Sequence, residues 1–140
     1  MATTLLKLSR SVASVLLGYI VIVACTIIGF KPLGVIVHLH APLHVQVAGA
    51  LVAIVSGLLG GVTAALVAGR YPVRHAAAVL ILLCVDTGFV LSRGSPDPLW
   101  FDLSGSATLM LATVSGGILV RLITRRSQMK HPADRGGTGS

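Results

Sequence analysis

The sequence predicts an all-α integral membrane fold, a bundle of four transmembrane helices with both ends in the cytoplasm. Three observations predict it: an apolar composition, four long apolar runs, and basic residues gathered at one end of those runs. Hydrophobic residues make up 54% of the 140 and charged residues 11%, and the mean hydropathy is +0.92. Polar groups are too few to cover a water-facing surface, so lipid has to cover it.

The apolar runs set the elements in order. Residues 11–30 carry no charge over a length that crosses about 30 Å of hydrocarbon. A second run covers about 45–69 and a third 76–92, interrupted only by Asp86. The fourth covers 103–124, with Arg121 able to snorkel from its last turn. Between them lie a loop with His38, His40 and His44, a tight basic turn at 70–75, and a Pro-rich loop at 93–102. Residues 1–124 therefore form a membrane domain, and 125–140 a polar, basic cytoplasmic tail. One alternative at the start is a lipoprotein signal, because Ile22-Val23-Ala24-Cys25 resembles a lipobox. The run stays apolar through Phe30, where a signal would turn polar, so a span is the expectation.

The net charge of +7 is topological. Lys7, Arg10, Arg70, Arg74, Arg121, Arg125, Arg126, Lys130 and Arg135 all lie at one end of the runs; only Lys31 and Arg93 lie at the other. That asymmetry is the positive-inside pattern and puts both termini inside, with no call for nucleic acid. Trp100 and Phe101 then fall at the outer headgroup level, as interfacial anchors. Cys25 and Cys84 belong to no CxxC or Cys/His framework, so they read as small hydrophobes.

The runs share letters. Cys25-x3-Gly29-Phe30 recurs as Cys84-x3-Gly88-Phe89, and Gly60-Gly61-x8-Arg70 as Gly116-Gly117-x8-Arg126, which suggests two repeated helical hairpins. On the second run, Ser56, Gly60, Ala64 and Ala68 form one strip of small residues, and Gly57, Gly61, Ala65 and Gly69 form another. Gly116 and Gly117 add a shorter version on the fourth. Such strips let backbones approach closely where packing drives helix association. Internal packing is the plainer use of them; a second strip facing a partner protein is the sharper one.

Residues 60–76 follow the pattern GG-x2-AA-x2-AGR-x-P-x2-HA, followed by the outer Pro98-Leu99-Trp100-Phe101 and a last helix closing with Gly116-Gly117 and Arg125-Arg126. In these features the chain resembles a group of small, uncharacterised bacterial four-helix inner-membrane proteins. The resemblance covers the last three helices. It implies a bacterial inner-membrane location and carries over no functional residue.

Few residues could carry chemistry. Asp86 is the one acid inside a run, near the bilayer centre when counted from Ala76. A charge there costs at least about 2.5 kcal/mol, so Asp86 is a candidate ion or proton site, or else a protonated hydrogen-bonding group. Arg93 lies two turns further along the same face. His38, His40 and His44 are a candidate metal or haem site, although Pro42 breaks any single helix that would align them. No nucleophile with a base, Gly-rich phosphate loop or Glu is present, so neither an enzyme nor a bound cofactor is expected. The functional expectation is an accessory or scaffold subunit of a larger inner-membrane complex, its partners lipid, other membrane subunits or a second copy. The alternatives are a small homo-oligomeric transporter or channel using Asp86, and a metal or haem binder using the histidines.

Overall fold

The computed structural model describes residues 2–33, 38–69, 71–94 and 97–129. They form four helices: α1 (Ala2–Phe30), α2 (Leu43–Ala68), α3 (Pro72–Ser92) and α4 (Leu99–Met129), with a short 3-10 turn, Lys31–Leu33, after α1. Each is long and apolar enough to cross a membrane. The reason is a backbone one: hydrocarbon offers no hydrogen-bond partner, and only a helix satisfies every N–H and C=O within its own segment.

The helices outrun the apolar stretches that mark them. α3 begins at Pro72, which needs no N–H partner in a first turn. α4 begins at Leu99, because the Phe101 amide already donates to the Pro98 carbonyl at 2.9 Å. Trp100, Phe101 and Asp102 are therefore helical residues and not loop residues. α2 stops at Ala68, since Gly69 takes φ 68° and caps the helix through its amide on the Ala65 carbonyl, at 3.4 Å. Gly69 is exposed and works as a cap, not as part of a packing strip. Arg10 of α1 closes the same end, its Nε donating to the Val67 carbonyl at 2.9 Å. Tyr71 follows in the left-handed region at φ 53°, with the Arg74 guanidinium 4.8 Å above its ring and His75 Nδ1 donating to its carbonyl at 3.2 Å. Arg70 and the tail from Lys130 lie outside the described residues, as does the Lys7 side chain.

α2 is the hub. It packs most extensively against α4 and α1, α3 leans on α4 and less on α2, and the α1–α3 seam is the lightest of these contacts. Both small-residue strips are used inside the chain. A Cβ on Gly60 would run into Ile22 of α1, and one on Gly61 into the Thr113 carbonyl of α4. Gly57 lies against Leu109 and Ala112 of α4, and a Cβ there would come within 2.6 Å of the Leu109 carbonyl. Ser56, Ala64, Ala65 and Ala68 are buried as well. The second strip thus has an internal neighbour, and no partner protein is needed to account for it. Ile22, Ala64, Val79 and Leu83 form the core where α1, α2 and α3 meet.

The two hairpins are packed unequally where their sequences agree. Gly29 presses on Val52 of α2, whereas a Cβ on Gly88 would meet nothing within 4 Å. Gly116 faces α2 through the Leu58 carbonyl, and Gly117 faces α3 through Ala76 and Pro72. Gly29 is thus a packing position, whereas Gly88 is exposed on the outside of α3.

Candidate functional site

A cavity of about 610 Å³ is bounded by all four helices at the end where the two loops lie. α1 contributes Thr26 and Phe30, α2 Gln46, Gly49, Ala50 and Ala53, α3 Val90, and α4 Phe101, Asp102, Gly105, Ser106, Thr108 and Leu109, with Ser104 beside them. Its size falls within the range of ordinary small-molecule sites, and its walls are mostly apolar with a few polar groups, as such sites usually are.

Of the polar wall groups, Gln46 is held by the first loop, which is itself joined to the second. The Leu39 amide donates to Asp97 Oδ1 at 3.0 Å, joining the first loop to the second. Gln46 Nε2 donates to the Leu39 and Ala41 carbonyls, each at 2.8 Å. Two carbonyls around one nitrogen fix the amide's orientation, because only the NH₂ side can serve both. Thr87 of α3 donates to Ser106 Oγ of α4 at 3.2 Å, closing a third side. Asp102 sits in the first turn of α4. Its Oδ2 is buried and has no hydrogen-bond partner among the described residues. An unmatched buried carboxylate oxygen is costly and worth explaining. Trp100, 61% exposed, stands edge-on to Phe101, ring centroids 5.8 Å apart at 88°. Of this aromatic pair, Phe101 also forms cavity wall.

Asp86 lies elsewhere. With α3 starting at Pro72, it sits about 9 Å from the Ser92 end at the standard rise, in the loop-end half of the span and not at its centre. Its side chain is exposed on the outside of the bundle, beside the light α1–α3 seam. The Tyr19 phenol of α1 is within side-chain hydrogen-bonding reach of the carboxyl. Arg93 does not turn toward it: the guanidinium stacks over Phe89, 4.4 Å from the ring centre. Cys84 is exposed and Cys25 half-buried, both free.

The histidines are not gathered. His40 and His44 are exposed and His38 is half-buried, and no group of three or more His, Cys, Asp or Glu among the described residues is arranged to hold a metal ion. Sequence reasoning missed Tyr19, Gln46, Thr26 and the site role of Asp102. Gln46 was the strongest available signal, an uncharged amide within an otherwise apolar helix. The chain matches no protein-family model, no curated protein and no solved structure.

Proposed function

We propose that the protein is a non-enzymatic accessory or scaffold subunit of a larger bacterial inner-membrane complex, joined to its partner across the α1–α3 face. One observation carries this reading: Asp86 is an ionisable side chain within a span, yet it is exposed on the outer surface of the bundle. Lipid is a poor neighbour for such a group, and acids inside membranes normally face protein or water. A partner helix laid along the seam would cover it and supply a second donor beside the Tyr19 hydroxyl. The bacterial location rests on the sequence resemblance, and the cytoplasmic placement of both termini on the distribution of basic residues.

The test is purification in gentle detergent from the native membrane, with mass spectrometry of what co-migrates. Wild-type protein should carry a partner at fixed stoichiometry. Asp86→Leu should lose it while the bundle itself stays folded, because leucine suits a lipid-facing position. A wild-type chain that runs alone, or a Leu variant that keeps its partner, would count against the reading.

A second reading uses the same residue. A homo-oligomer could pass protons or cations at Asp86, with the Tyr19 hydroxyl beside it as a proton-bearing group. Liposomes would then show wild-type flux under an imposed gradient, lost in Asp86→Asn, since an amide does not ionise.

A further inference from the structure

The cavity at the loop end stands apart from Asp86, and its chemistry is one-sided. Among the described residues its only ionisable wall residue is Asp102, with no Lys, Arg or His beside it. Asp102 Oδ2 is buried without a donor among the described residues. Gln46 uses its NH₂ on the Leu39 and Ala41 carbonyls, so its Oε1 is the amide's remaining acceptor. Ser106 Oγ already receives the Thr87 hydroxyl and retains one lone pair and its own proton. The wall thus sets a carboxyl group and two further acceptors beside hydroxyl protons such as that of Ser106, with no basic side chain among its described residues, and it favours a ligand rich in donors and positive.

Phe30, Phe101 and Val90 make the rest of the wall apolar. A bare divalent metal would want several oxygen ligands and more than one carboxylate, and this wall supplies one. An anion would meet Asp102 with no compensating cation. From these residues we infer a binding site for a small organic cation, a primary ammonium with an apolar body. Its N–H groups would meet Asp102 and Gln46, and its body would lie against Phe30 and Phe101. Aromatic faces also favour a cation held over them. This site does not depend on assembly through Asp86.

Trp100 is the only tryptophan in the chain and touches the wall through Phe101, so its fluorescence is a built-in reporter. The full chain in phosphatidylcholine nanodiscs, a zwitterionic surface, would be titrated with 2-phenylethylammonium, 2-phenylethanol and phenylacetate. The ammonium should change Trp100 emission saturably. The alcohol, the same shape without the charge, should bind at least roughly tenfold more weakly, the size of a charge-assisted hydrogen bond. Phenylacetate should not compete. Asp102→Asn should weaken the ammonium by a similar factor. Gly105→Leu should abolish binding by filling the cavity, and it can do so without clash because a Cβ there meets nothing within 4 Å. Equal binding of alcohol and ammonium, competition by phenylacetate, or unchanged binding in Gly105→Leu would overturn the inference. The first two comparisons use the wild-type chain, so they hold even if Asp102→Asn fails to fold.

Discussion

Gly61 and Gly105 are both helical glycines of α2 and α4, and substitution should have opposite signs at the two. At Gly61 a methyl would strike the Thr113 carbonyl, which is backbone and cannot turn aside. Gly61→Ala should therefore cost about 1–3 kcal/mol, the usual penalty of overpacking. At Gly105 a methyl meets open space, so Gly105→Ala should be neutral or stabilise by up to about 1 kcal/mol through helix propensity. Leu59, 46% exposed on the outside of α2, should tolerate alanine far better than Gly61 does. Unfolding in detergent, followed by circular dichroism, ranks the three. Similar midpoints for Gly61→Ala and Leu59→Ala would mean that close approach of α2 and α4 is not what holds the bundle.

At the scale of elements, the Asp97 carboxylate ties the two loops over the cavity. Asp97→Ala should raise hydrogen exchange at the Leu39 amide by roughly tenfold or more, while Asp97→Asn, which keeps a carbonyl acceptor, should stay near wild type. Unchanged exchange in the Ala variant would place the hold on that loop elsewhere. The helices themselves were legible in the sequence, because in lipid length and apolarity alone decide whether a segment must be helical. Their ends were less so. Pro72 and Pro98 look like loop residues by letter, yet Pro72 opens α3, where a missing N–H costs nothing, and Pro98 directly precedes α4, its carbonyl taking the Phe101 amide. The strips on α2 were legible as packing surfaces, but a strip's chemistry is the same whether its neighbour belongs to this chain or another. The cavity was not legible at all. Thr26, Gln46, Val90 and Asp102 come from four different helices, and nothing in their spacing along the chain brings them together.

For the whole molecule, the basic residues predict an orientation that can be read directly. In a chain with Cys25 and Cys84 replaced by alanine, a single cysteine at Ser95 should react with an impermeant maleimide added outside intact cells. One at Ser140 should react only after the membrane is opened. Labelling in the reverse order would invert the topology and put the cavity on the cytoplasmic side. The placement of α2 at the hub has a further consequence, in time. α2 is made before α4, and domains form as the chain emerges. Until α4 arrives, Gly57 and Gly61 have lipid where Leu109, Ala112 and Thr113 will later lie. A bare strip of small residues in a membrane is adhesive toward any similar helix. A nascent chain arrested after Arg93 should therefore pair with another through this strip, as a cross-linked dimer that Gly61→Leu abolishes. The ribosome's delivery order, invisible in the finished bundle, leaves its most crowded contact as its most exposed moment.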